Sequence, residues 1–301
     1  MCSLFLSKNR PEKLDDIVGN IDIINYLKVS SKKGEISNMI FFGESGNGKT
    51  VTAECLMKEI TNDYFILNAY DDRNQNSFKK VISSFAKKKT NGKKIFLIDE
   101  IDSLIDSTQA VLSQFMESDD IKFILTCNRL DNIIETVQNK SIIYRFDNIK
   151  EEEIYSYLQL LCIKEDILYD KDGLEALVFS ANGDLRIAIN NLNITYYGYK
   201  QITNTNVFKI CNIPELSLLQ ILVDTLLKKD LEKVMILTNR FSKMGYNQID
   251  IITYLFAIVN IYDMDEKIRI DFLSKINKSL YRLSSLCTDL QLYYLFITLI
   301  E

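Results

Sequence analysis

Histidine is absent from all 301 positions of this chain, which removes the side chain that most often serves as a general base near neutral pH. Any base in the protein must therefore be a carboxylate. Proline occurs twice and glycine ten times, and scarcity of both breakers favours long helices over a turn-rich sheet protein. The six cysteines (Cys2, Cys55, Cys127, Cys162, Cys211 and Cys287) include no C-x-x-C pair. With no histidine to assist them they make a poor zinc site, and they suit a reducing intracellular compartment. The net charge of -5 provides no overall attraction to nucleic acid, so any such contact must come from a local patch. Neither a signal peptide nor an apolar run of the roughly eighteen residues that a membrane span needs is evident, so the chain reads as soluble, cytosolic or nuclear. Its length predicts two or three compact units.

What the chain does carry is concentrated between Gly43 and Thr50, Gly-Glu-Ser-Gly-Asn-Gly-Lys-Thr, which fits the phosphate-loop pattern G-x-x-x-x-G-K-[ST]. Three of the ten glycines fall here. They let the backbone close into a nest of amide hydrogens facing one point, and a following helix aims its positive dipole end at the same point. Gly43, Glu44, Ser45, Gly46, Asn47, Gly48, Lys49, Thr50 and Val51 are therefore the candidate positions for a nucleotide triphosphate. Lys49 would neutralise the outer phosphates, and the Thr50 hydroxyl would ligate the magnesium ion bridging them. The flanks agree. Met39 to Phe42 is a short apolar run of strand type, and Ala53, Leu56, Met57 and Ile60 recur at helical spacing after Thr50.

From Ile17 to about Ile149 short apolar runs alternate with helical stretches, the pattern of a parallel sheet with flanking helices. Five strands are predicted: Met39 to Phe42, Tyr64 to Asn68, Ile95 to Ile98, Lys122 to Thr126 and Ile142 to Phe146. Beyond Glu151 the strand signal fades. Ile154, Tyr157, Leu158, Leu161 and Cys162 mark one amphipathic helix, Leu174, Leu177, Val178 and Ala181 a second, and a third follows Gly183 with Asp184 as its cap. Pro214 opens a last apolar section with the pattern of five helices ending at Glu301.

The chemistry-bearing residues outside the loop are few. Phe96 to Asp102 reads Phe-Leu-Ile-Asp-Glu-Ile-Asp, an apolar strand ending in acids. Asp99 would hold the magnesium ion and Glu100 would polarise an attacking water. Asn128 follows the next strand and could orient that water by hydrogen bonding, although Asn is also an ordinary turn residue. Arg186 falls in the first turn of a helix, where a cation opposes the macrodipole, and a triphosphate partner would explain it.

This order of motifs, with Gly183-Asp184-Leu185-Arg186 in a helical segment, resembles the AAA+ ATPases and, more narrowly, the small subunits of the clamp loader replication factor C. Arg10-Pro11, Leu14-Asp15-Asp16-Ile17-Val18-Gly19-Asn20, Leu67-Asn68-Ala69-Tyr70-Asp71-Asp72-Arg73, Asp172 to Ala176, Gly183 to Leu192 and Asn206 to Ile210 carry the likeness, which runs from Leu4 to about Asn212. The resemblance implies an α/β P-loop AAA+ core with a five-stranded parallel sheet (1–149), an α-helical lid (150–212) and an all-α collar for oligomerisation (213–301). It implies a nuclear heteropentamer that uses ATP and Mg2+ to place a ring-shaped sliding clamp on primer-template DNA, which it contacts through the backbone. Arg186 would be the lid's sensor and Asn128 the core's, with Arg10, Pro11, Val18 and Gly19 near the adenine and phosphates.

The chain departs from that family in places. Asn139-Lys140-Ser141 stands where the family has Ser-Arg-Cys, so the finger reaching a neighbour's ATP would be Lys140; an ammonium is a point charge that cannot bridge two phosphate oxygens in a plane as guanidinium does. An expected arginine pair appears as Ser113-Gln114, and Phe5 and Asn9 replace Trp and Tyr. Lys79, Lys80, Lys87, Lys88, Lys89, Lys93 and Lys94 make the most basic span. Lys79 aligns with a family arginine that touches template phosphates and is the candidate DNA contact; Lys87 to Lys94 are equally readable as a solvated helix face and loop. A third reading, another AAA+ machine for origins or branch migration, would require an added strand-containing DNA-binding domain after the lid.

Overall fold

The computed structural model describes residues 5, 7–34, 36–70, 75–88, 92–211, 216–283 and 290–300. Expectations placed on Cys2, Leu4, Asp71, Asp72, Arg73, Lys89, Asn212, Pro214, Cys287 and Glu301 lie outside the described residues. The chain falls into two compact units, 1–203 and 204–301. That boundary lies within the span assigned above to the lid.

The first unit is built on five parallel strands: β1 (Met39–Phe42), β2 (Tyr64–Asn68), β3 (Lys94–Asp99), β4 (Ile121–Cys127) and β5 (Ile142–Arg145), in the order β2-β3-β4-β1-β5. α1 (Ile21–Lys33) precedes β1, and between the strands run α2 (Lys49–Ile60), α3 (Gln75–Lys87), α4 (Asp106–Phe115) and the single turn α5 (Glu135–Gln138). Successive strand residues face opposite sides of a sheet, and here both sides are apolar. Ile40, Phe96, Ile98, Phe123 and Leu125 pack with Phe78, Ile82 and Phe85 of α3 and Leu112 of α4. Met39, Phe41, Ile95, Leu97 and Ile124 pack with Ile24 and Leu27 of α1 and with Ala53, Leu56 and Met57 of α2. Coverage on both faces explains why β1, β3 and β4 read as unbroken apolar runs rather than alternating ones. Each fully buried Leu, Ile or Phe contributes about 1.5–3 kcal/mol. The sheet's two margins are less covered: Phe65 and Ile66 on β2, and Ile142 and Ile143 on β5, are exposed.

After β5 come α6 (Glu151–Lys164), α7 (Lys171–Ala181) and α8 (Leu185–Tyr199), with a two-residue parallel pairing of β6 (Leu168–Tyr169) and β7 (Gln201–Ile202). The predicted apolar positions Ile154, Leu158, Leu161, Cys162, Leu174, Leu177, Val178 and Ala181 are buried. Asp170 caps α7 through the Gly173 amide, and Asp184 caps α8 by accepting from the amides of Arg186 and Ile187 at 2.8 and 3.1 Å.

The second unit contains α9 (Asn204–Cys211), α10 (Leu216–Leu227), α11 (Leu231–Lys243), α12 (Gln248–Ile261), α13 (Glu266–Leu283) and α14 (Leu290–Ile300). Its described residues form no strand, and its core is aliphatic and aromatic, with Leu222, Val234, Leu255, Ile276 and Phe296 fully buried. Among the described residues no helix is long and apolar enough to cross a membrane.

Candidate nucleotide site

The strand order decides the site. β1 lies between β4 and β5 and ends in the phosphate loop, while β3 ends in the acids and lies two strands away with the central strand β4 between them. A ligand crevice at the carboxyl ends of parallel strands is the general outcome of such sheets. The three strand ends meet in one hydrogen-bonded group: the Thr50 hydroxyl donates to Asp99 Oδ1 at 2.7 Å, and the buried Thr126 hydroxyl of β4 donates to the same oxygen. Thr126 Oγ1 in turn accepts from the Glu100 amide at 3.1 Å. That bond helps hold Glu100 in a left-handed backbone conformation, φ 59°, unusual for a residue with a Cβ.

The loop glycines adopt the left-handed backbone that a phosphate nest uses. Gly46 and Gly48 have φ of 78° and 87°, and at Gly46 a side chain would collide with the Asp184 carboxylate, so glycine is required both for conformation and for close approach. Lys49 is buried, and its Nζ donates to the carbonyls of Gly43 and Glu44 at 2.8 and 2.7 Å. Burial lowers its pKa; Cys127, Asp99 and Asp102 act in the opposite sense, and Arg186 adds to the lowering. Glu100 shifts the other way: desolvation raises its pKa, Asp99 and Asp102 raise it further, and Arg186 and Lys49 oppose them. Asp102 Oδ2 accepts from the amides of Asn128 and Arg129 at 3.1 and 3.2 Å, tying the acid turn to the end of β4.

Thr50, Asp99, Glu100, Thr126 and Lys49 border a cavity of about 510 Å³. Of the sequence-predicted residues, Arg10, Pro11, Val18, Ser45, Gly46, Asn47, Gly48, Lys49, Thr50, Val51, Asp99, Glu100, Asn128 and Arg186 line it. Gly19, Gly43 and Glu44 are not among the lining residues. Arg10 is held at Glu54 by a 2.6 Å ion pair, and burial of Glu54 raises its pKa against that pairing. The sequence reading missed Thr126, Cys127, Ile149, Tyr157 and Ile189, which also line the cavity. Tyr157 donates to the Asn9 carbonyl at 3.2 Å. Burial pushes the Cys127 thiol up to about 12, which makes it a packing residue rather than a nucleophile.

Two predicted residues stand away from the cavity. Lys140 follows α5, and its Nζ donates to the Ser113 carbonyl at 2.8 Å and to Glu117 Oε1 at 2.7 Å. Lys79 lies on the polar side of α3 with Lys80, Ser83, Ser84 and Lys87, around a separate surface groove. The basic run is not uniform: Lys88 pairs with Asp63 at 3.1 Å, Lys94 donates to the Ala86 carbonyl at 2.6 Å, and Lys93 donates to the Gly34 carbonyl. Lys79, Lys80 and Lys87 are exposed and make no ion pair among the described residues.

Comparison with known proteins fits this arrangement. Residues 39–150 match the model of the ATPase family associated with various cellular activities, and residues 214–297 match the replication factor C C-terminal domain. The chain is 36% identical over 302 residues to replication factor C subunit 4 of Saccharomyces cerevisiae, covering 96% of this chain and 93% of that protein. It belongs to the replication factor C small-subunit family. Replication factor C subunit 2 of Arabidopsis thaliana is 33% identical, covering 90% of this chain and 85% of the relative. Among solved structures, the RuvB Holliday junction branch migration motor of Thermotoga maritima superposes with a TM-score of 0.60 at 18% identity, over 73% of this chain and 79% of that one. At that identity the likeness concerns the fold. Membership in the family brings with it nucleotide binding with a divalent metal, ATPase activity in general and assembly with other replication factor C subunits.

Proposed function

We propose that this replication factor C family member is an ATP-binding subunit of a nuclear heteropentameric clamp loader that places a sliding clamp on primer-template DNA. It is most like the subunit numbered two in vertebrate naming. The observation that carries the reading is the convergence of Thr50, Thr126 and Asp99 at one carboxylate oxygen beside Lys49. The residues present fit Mg-ATP. Gly46 and Gly48 supply the left-handed backbone a phosphate cradle uses, Lys49 has neutral carbonyls as its hydrogen-bond acceptors, and hydroxyl plus carboxylate are the hard oxygen donors magnesium selects.

Thr50 and Asp99 would hold the metal, which when bound neutralises charge on the phosphates. Lys49 would exchange two neutral carbonyl acceptors for phosphate oxygens. Glu100 is the base within reach of the cavity, and with no histidine in the chain a carboxylate must take that part. Asn128, tied through Asp102 to the acid turn, would orient the attacking water, and Arg186 would sense the phosphates from α8. The division into ATPase core (1–149), lid (150–212) and collar (213–301) belongs to the same proposal, as does phosphate contact through Lys79. Titrating Mg-ATP into the assembled complex, wild type against Lys49→Ala, tests the reading: affinity at this site is expected to fall by about a hundredfold in the variant, and binding and loading unaffected by the substitution would remove it.

A second reading has its own support. Lys140 is engaged by Glu117 and by the Ser113 carbonyl within its own chain, so the chain would hold ATP for shape while serving its neighbour's site weakly. Single-turnover hydrolysis with Lys140→Arg and Lys140→Ala separates the two, since equal rates would show an idle residue.

A further inference from the structure

Four residues, Phe146 to Ile149, join the sheet to the cap of α6, and the site's components touch them from three sides. From the phosphate loop, a side chain at Gly43 would strike the Phe146 carbonyl. From the segment before α1, the Asn20 carboxamide exchanges two hydrogen bonds with the Asp147 backbone at 3.1 and 2.9 Å, and a Cβ at Gly19 would sit 3.0 Å from Ile149. From the approach to α8, Gly183 (φ 87°) leaves room for a Cβ only 3.5 Å from the Cβ of Asn148.

Asn148 holds the centre of this junction. Its Nδ2 donates to Glu44 Oε2 at 2.9 Å, and its Oδ1 accepts from Asn47 Nδ2 at 2.8 Å. One side chain thus grips the loop at two points, before and after Gly46. Asn148 is itself exposed, so burial does not dictate a carboxamide there, whereas Asn47 is 2% exposed and keeps an Oδ1 with no hydrogen-bond partner. A buried acceptor left unmet is a cost, and it is borne here by the residue whose donor goes to Asn148. The carbonyls of Gly43 and Glu44, on the gripped stretch, are the ones that now hold Lys49.

We infer that Asn148 is a positioning residue for nucleotide binding: it sets the open shape of the loop and fixes it to the joint from which α6 to α8, and hence Arg186, depend. The inference rests on the nucleotide-binding reading above and adds to it a residue that touches neither nucleotide nor metal.

The test is Mg-ATP binding by calorimetry, with steady-state hydrolysis, on the assembled complex carrying the full chain. Asn148→Ala is expected to weaken binding about tenfold, with KM raised in parallel and kcat within about twofold of wild type, the loss of one neutral and one charge-assisted hydrogen bond. Asn148→Asp should be weaker still, because a second carboxylate then faces Glu44. Adding Glu44→Gln to Asn148→Asp restores a donor opposite the new acceptor and should return affinity to within about threefold of wild type. Combining Asn47→Ala with Asn148→Ala should cost less than the product of the two single effects, since they share a bond. Wild-type affinity in Asn148→Ala, a fall in kcat alone, failure of the Glu44→Gln rescue, or multiplicative Asn47 and Asn148 effects would each overturn the inference. Absence of Mg-ATP binding by the wild-type site would remove the underlying reading, and this inference with it.

Discussion

Lys49 and Lys140 both end on backbone carbonyls, yet they sit in opposite settings. Lys49 is buried in a cavity lined by Asp99 and Glu100, and its hydrogen-bond acceptors are two neutral carbonyls of its own loop. Lys140 is half-buried at a surface and has a carboxylate, Glu117, as well as a carbonyl. A desolvated cation satisfied only by dipoles gains when an anion enters. A cation already paired with a carboxylate must first give that pair up. The two lysines therefore differ in what a polyphosphate offers them: the first is poised to receive it, the second is at rest.

The sharpest way to break this contrast is at the base beside Lys49. Glu100→Gln should leave Mg-ATP affinity within about threefold and lower single-turnover hydrolysis by about 10³, within the range of lost general-base catalysis; undiminished hydrolysis would assign the base elsewhere. Next in size is Lys49→Ala, for which affinity measured by calorimetry should fall by about a hundredfold, a charge-assisted contact in a dry site being worth several kcal/mol. Thr126→Val removes both the bond to Asp99 and the acceptor of the Glu100 amide; affinity should drop roughly tenfold and the chain lose about 1.5–3 kcal/mol in denaturant unfolding.

The pH profile of hydrolysis sharpens the same point. Burial and the neighbouring acids raise the Glu100 pKa, so its carboxylate is protonated at higher pH than an ordinary glutamate. The kcat/KM of hydrolysis, which reports the free site, should therefore decline, on acidification, at a pH above the usual glutamate range, and Glu100→Gln should abolish that limb. The smallest effects belong to the other lysine. Glu117→Ala leaves Lys140 with the Ser113 carbonyl alone and should alter the neighbouring site's hydrolysis by a few-fold at most, in keeping with the modest worth of exposed ion pairs; a change of a hundredfold would show that Lys140 is already engaged in transfer chemistry.

What could be read from the amino acids alone follows the physics of each feature. β1, β3 and β4 were visible because burial on both faces makes them continuous apolar runs, β2 and β5 because their apolar residues persist at the exposed margins, and the loop and acids because their pattern is local. β6 and β7 were invisible: two residues each, paired across the chain from Leu168 to Gln201, they have no periodicity to detect. Asn47 and Asn148 are separated by 101 positions, so only the fold reveals their bond. Thr126 read as an ordinary strand residue until the strand order placed it between the Thr50 and Asp99 ends. In the basic span the charges were plain, but their sorting was not: whether Lys88 meets Asp63 depends on where β2 begins, which composition does not encode.

The margins of the sheet carry a practical corollary. β2 and β5 are the outer strands, with Phe65 and Ile66 exposed on one and Ile142 and Ile143 on the other, and such edges are templates onto which a stray copy can add itself. Overproduced by itself, this polypeptide should accumulate as insoluble deposits. Co-translation with companion subunits should restore yield, and a lysine introduced at Ile143 should do so without them.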